Sequence, residues 1–135
     1  MNNIYKKKLL VVIFIAFIIS VFIGCGGSYQ HISAEKAMKM MKTEQNYLIV
    51  DVRSQEEYNK KHVKNAILVP IDDIKEGKLD KLPDKNQTLL LYCWTGRRAE
   101  KAADLLIKRG YTNVYEFGGL VDWTGDTEDE ENIEK

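Results

Sequence analysis

Cysteine is scarce in this chain: 135 residues contain two, Cys25 and Cys93. So low a count excludes a disulfide-stapled scaffold. Once Cys25 is committed to the N-terminal segment described below, no resolving cysteine remains beside Cys93, which excludes a C-x-x-C redox mechanism. Histidine is as rare. His31 and His62 stand far apart without a cysteine cluster, so no metal site and no cofactor are implied. Basic runs are missing after Lys6-Lys7-Lys8, which removes the case for a nucleic-acid partner. Proline occurs twice, and both Pro70 and Pro83 close an element. No internal repeat is visible.

Two unlike parts make up the chain. Residues 1–24 open with the lysine triplet and continue as an apolar run from Leu9 to Ile19. That is a positive n-region and an h-region, short of the roughly 20 residues a bilayer span needs. It ends in Gly24-Cys25-Gly26-Gly27-Ser28, a small residue before a cysteine and then a flexible tether, which resembles a bacterial lipobox. The expected organisation is a lipoprotein-type signal peptide over 1–24 and a lipidated Cys25 with its tether over 25–28. The domain is then extracytoplasmic, anchored to the bacterial cell membrane by its acyl chains. An uncleaved N-terminal membrane anchor is the alternative. Beyond residue 24, 17 basic residues face 20 acidic ones, a net of −3. Six of those acids fall in residues 126–135 with one lysine, so residues 125–135 read as an acidic, disordered tail. The roughly 95 residues between suffice for one small core.

Along that domain, apolar runs alternate with helical patterns. Tyr29–Ile32 reads as an edge strand. Ser33 caps a helix whose Ala34, Ala37, Met38 and Met41 share a face. Tyr47–Val52 is a strand, followed by the capping box Ser54…Glu57 and a short helix to Lys60. Ala66–Val69 is a strand stopped by Pro70, and 72–82 is a polar crossover with one helical turn. Thr88–Tyr92 is a covered strand, Arg98–Arg109 a helix, Val114–Phe117 a strand and Gly118-Gly119 a turn. Such alternation predicts an α/β fold: a mostly parallel sheet of about five strands flanked by helices on both faces. Sites in such sheets form at the carboxyl ends of strands, where Asp51, Arg53 and Cys93 fall.

Cys93 is the most informative residue. A strand delivers it to the loop Trp94-Thr95-Gly96-Arg97-Arg98, and a helix begins there, with Ala99, Ala102, Ala103 and Leu106 on one face and Gly110 as its left-handed cap. Backbone N–H groups, the positive end of the helix and two arginines face a thiol so placed, and all three favour the thiolate, the reactive form.

Cys93-Trp94-Thr95-Gly96-Arg97-Arg98 resembles the C-x-S-G-x-R active-site loop of the rhodanese family of sulfurtransferases, with Thr95 for the usual Ser. Three further segments agree in order: Leu48 to Tyr58 with "liDvRs..Ey", His62 to Pro70 with "gHI.gAi..P", and Asn113 to Gly119 with Trp123 resembling "nVy.l.GG...W". The resemblance covers Tyr29 to Trp123 within a domain over 29–124. It implies a rhodanese-like three-layer fold and a Cys93 persulfide that carries sulfur from a small donor, thiosulfate or a polysulfide, to a thiol or cyanide acceptor. A protein donor or acceptor is also open. Gly96 allows the tight loop, Arg98 holds the loop or the donor, and exposed Arg97 attracts an anion. Trp94 narrows the pocket mouth or stacks on an acceptor. Asp51 and Arg53 are supporting residues, with Asp51 accepting from the loop or pairing with Arg53. Glu57 is expected to pair with Arg53, and His62 to be a satisfied histidine under the sheet edge.

Two other functions stay open at this point. A phosphatase or arsenate reductase of the related branch would use a loop one residue longer, C-x5-R, against C-x4-R here. A non-catalytic binding module would generally lack the cysteine.

Overall fold

Apolar strands without alternation need cover on both faces, and the chain supplies it with helices on each side. The computed structural model describes residues 3–4, 6–8 and 27–130. Its main sheet is parallel throughout, in the order β1–β6–β5–β2–β4. The strands are β1 (Gln30–His31), β2 (Tyr47–Asp51), β4 (Ile67–Leu68), β5 (Thr88–Cys93) and β6 (Val114–Gly119). β5 lies at the centre and ends on Cys93. This is the five-stranded α/β fold expected from the alternating pattern.

Side-chain alternation sorts the sheet into two faces. Leu89, Leu91 and Cys93 join Val50, Val52 and Val114 in one core. It is covered by α3 (Ile71–Glu76) and α4 (Arg97–Lys108), the latter through Ala99, Ala102, Ala103 and Leu106. Leu90, Tyr92, Ile49 and Phe117 point the other way, against Ala37 of α1 (Ala34–Thr43) and Tyr58 of α2 (Gln55–Lys60). Each large apolar side chain removed from water contributes about 1.5–3 kcal/mol.

Local signals hold where they were strong. The Ser33 hydroxyl accepts from Lys36 N–H at 3.1 Å. Both halves of the Ser54–Glu57 capping box are formed. α4 closes in a Schellman motif: Gly110 has φ +90°, its N–H donates to Ile107 O, and Tyr111 N–H donates to Leu106 O.

Two expectations are corrected. Gly118 and Gly119 are the end of β6 and not a free turn, with a register shift against β5 between Leu91 and Cys93. The acidic tail is partly ordered: β7 (Thr127–Glu128) pairs antiparallel with β3 (His62–Val63). Glu128 accepts from Asn65 N–H at 2.8 Å, and Glu130 N–H donates to Asn59 O at 2.9 Å. Backbone ladders and side-chain acceptance of an N–H need no apolar residues, so composition does not reveal them. The apolar segment, Cys25 and residues 131–135 lie outside the described residues.

Candidate active site

The turn from β5 into α4 is made at Gly96, whose φ of +99° lies in the region that only glycine adopts without strain. This turn brings Gly96 N–H to 3.0 Å from Cys93 Sγ. Cys93 is buried, 1% exposed. Trp94, 48% exposed, Thr95 and Arg97 form the outer side of that loop.

The loop is held from behind by β6. A Cβ on Gly119 would stand 1.9 Å from Trp94 O, and one on Gly96 would stand 3.2 Å from Gly118 Cα. Two glycines therefore let the backbones touch, and Val121 N–H donates to Trp94 O at 3.2 Å. These supports were not foreseen from the sequence, although the Gly-Gly pair marks a place where side chains do not fit.

Arg98 reaches away from the main chain to Glu57. Its two terminal nitrogens donate to the two carboxylate oxygens, each at 2.7 Å. The Arg98 bond pulls the Glu57 pKa down to about 2, against partial burial and with help from the Ser54 cap. Glu57 in turn raises the Arg98 pKa further, and Cys93 adds to that rise. The expected partner of Glu57 was Arg53, and that is corrected here. Arg53 is instead engaged by Asp51, through Nε at 3.0 and 3.1 Å and Nη2 at 2.7 Å, and by Lys61 O at 2.6 Å.

Asp51 and Arg53 form a separate buried network. Tyr92 OH donates to Asp51 Oδ2 at 2.6 Å and accepts from Val63 N–H at 3.0 Å. Burial, with the Asp51 charge added, pushes the Tyr92 phenol well above its ordinary pKa, so it stays a donor. Tyr92 points to the face opposite Cys93. Asp51 therefore fastens β2 to β5 and β3, and of its two expected partners it takes Arg53, not the cysteine loop. His62 is also satisfied away from the loop: Nδ1 lies 2.8 Å from Tyr58 O and its ring stacks on Tyr58 at 3.7 Å.

Beside Arg98 a cavity of about 320 Å³ opens at the carboxyl ends of β2 and β4. Its walls carry Arg53, Arg98, Lys75 and Lys101, with Asp72 as the acid. Among the described residues no cluster of three or more His, Cys, Asp or Glu is placed to hold a metal ion.

A rhodanese-like domain is matched over residues 33–126. The chain belongs to the rhodanese family. It is 42% identical over 73 residues to the thiosulfate sulfurtransferase PspE of Escherichia coli, covering 54% of this chain and 70% of that protein. It is 38% identical over 99 residues to a tRNA uridine(34) hydroxylase of Hamiltonella defensa, covering 70% of this chain but only 28% of that longer protein. A solved rhodanese structure with anions from E. coli superposes with a TM-score of 0.57 at 37% identity, over 62% of this chain and 98% of that one. The matched rhodanese-like domain spans Cys93 and its loop.

Proposed function

We propose that the protein is a sulfurtransferase that carries a sulfane sulfur on Cys93. The observation that carries the reading is the buried Cys93 sulfur facing Gly96 N–H at 3.0 Å where a parallel strand meets a helix N-terminus. The Cys93 thiolate attacks the outer sulfur of thiosulfate. A new S–S bond forms, the sulfur–sulfur bond of the donor breaks, and sulfite leaves with that electron pair. The persulfide anion then rests among loop N–H groups. Cyanide, or a cellular thiolate, attacks the outer sulfur, and Cys93 leaves as thiolate, so the cycle is redox-neutral and needs no general base. Arg97, exposed on the outer side of the loop, and Lys101 of the cavity beside Arg98 draw an anionic donor towards the loop. The similarity to the E. coli protein named as a thiosulfate sulfurtransferase supports thiosulfate as donor. The short C-x4-R loop favours one sulfur atom over a tetrahedral phosphate.

The same proposal places the domain outside the cytoplasmic membrane, held by a lipid on Cys25. Its support is the lysine triplet, the apolar run and the Gly24-Cys25-Gly26-Gly27-Ser28 tether. Cys93→Ser tests the reaction. The variant should remain folded and lose thiosulfate:cyanide transfer, and neither form should hydrolyse an aryl phosphate. Transfer that survives in folded Cys93→Ser overturns the assignment.

A further inference from the structure

On the Cys93 face of the sheet, one position carries a carboxylate where a core side chain would be expected. Glu116 of β6 sits in register with Leu91 and is 1% exposed. Burying a carboxylate is costly unless its oxygens are satisfied. One oxygen, Oε2, accepts from Gly118 N–H at 3.0 Å. The other meets Nδ1 of His31, on the edge strand β1, whose own side chain is 71% exposed. Gly118 has φ +85° and is the residue against which Gly96 packs, while Gly119 abuts the Trp94 carbonyl. A chain of direct contacts therefore runs from His31 through Glu116 and Gly118 to the loop that carries Cys93.

We propose that Glu116 is a positioning residue for the Cys93 loop and that His31 is the counter-ion that holds it in place. The inference rests on the sulfur-transfer reading for its rate effects, though not for its structural ones. Glu116 fixes the direction of the Gly118 N–H, and with it the left-handed kink that presents Gly118 and Gly119 to the loop. An apolar residue would fill the core but would leave that N–H without its acceptor. The ionisable groups whose charges act around the pair are Tyr29 ahead of β1 and Glu100 and Asp104 of α4. Hydrogen bonding and charge from Glu116 raise the His31 pKa above its usual 6.5. The ion pair is therefore complete below that ordinary value and is lost as pH rises through the raised one.

The test uses the full chain in detergent micelles with His31→Gln, Glu116→Val and Glu116→Gln. In wild type the Gly96 and Gly118 amide resonances should shift with the midpoint of His31, and in His31→Gln they should not. Sulfur transfer by wild type should exceed that of His31→Gln at acid pH and converge with it at alkaline pH. Glu116→Val should lower kcat by about tenfold with little change in the thiosulfate KM, as misplacement of a loop does. Glu116→Gln, which keeps an acceptor for Gly118, should recover most of that loss. Should Glu116→Val fail to fold, the His31→Gln comparison still decides. Amides that ignore His31, or that titrate equally in His31→Gln, overturn the proposal. Amides that titrate as expected in a protein that transfers no sulfur uphold the coupling and refute the sulfur-transfer reading instead.

Discussion

Glu57 and Arg98 stand 41 residues apart and meet through two parallel N–H···O bonds of 2.7 Å. Glu57 also completes the cap of α2, and Arg98 is the second residue of α4, where the Cys93 loop ends. One carboxylate thus ties the start of one helix to the start of another across the cysteine site. Bidentate pairing adds geometric constraint that a single-point lysine contact lacks.

This pair makes the protein's acid stability depend on Glu57. A carboxylate with its folded pKa lowered to about 2 contributes stability that is fully present above its ordinary 4.5 and is lost as pH falls through 2. The side chains are 37% and 36% exposed, so solvent screening limits the gain to about 1 kcal/mol. Urea titrations at a series of acid pH values should show wild type losing its advantage over Glu57→Gln between those limits. Parallel pH curves for the two proteins would contradict the assignment.

Tyr92→Phe should destabilise the fold without altering the reaction. It removes the donor to Asp51 and the acceptor of Val63 N–H, both buried, at a cost of about 1–3 kcal/mol for each group left unpaired. Because Tyr92 faces away from Cys93, kcat and KM for thiosulfate should stay close to wild type. Chemical denaturation and steady-state kinetics on the same preparation check both halves.

Short-range grammar made much of this fold legible. The unit from Thr88 through the loop to Gly110 was readable because strand, glycine turn, amphipathic helix and Schellman glycine are all local. The Ser33 cap and the Ser54–Glu57 box were readable for the same reason. Long-range pairing was not. Nothing in sequence says that Glu57 reaches Arg98 while Asp51 holds Arg53. Likewise the two-residue ladder of Thr127–Glu128 is built from backbone groups inside an acidic stretch. Glu116 was hidden for another reason: a lone glutamate in a strand reads as solvent-facing until the register turns it inward.

The Gly118-Gly119 support makes a sharp steric prediction. Gly119→Ala places a methyl group 1.9 Å from the Trp94 carbonyl oxygen, and backbone atoms have to move. Overpacking of this kind costs about 1–3 kcal/mol, and here the displaced segment carries Cys93. Sulfur transfer should fall by more than the stability loss explains when assayed well below the melting temperature. Full activity in Gly119→Ala would show that β6 does not set the loop.

The proposed lipid anchor is checked on the N-terminal segment itself. Cys25→Ala should leave an unprocessed precursor, larger than the wild-type mature form, when both are expressed in a bacterium and compared by intact mass. Equal masses would rule out processing at Cys25.

Mass spectrometry of the Cys93 peptide after exposure to thiosulfate is the most direct test of sulfur transfer through this residue. Sulfur transfer through Cys93 requires a gain of about 32 Da, one sulfur atom as a persulfide, removed by cyanide with stoichiometric thiocyanate. A Cys93 peptide that never gains that mass, while thiosulfate is still converted to thiocyanate, would contradict it.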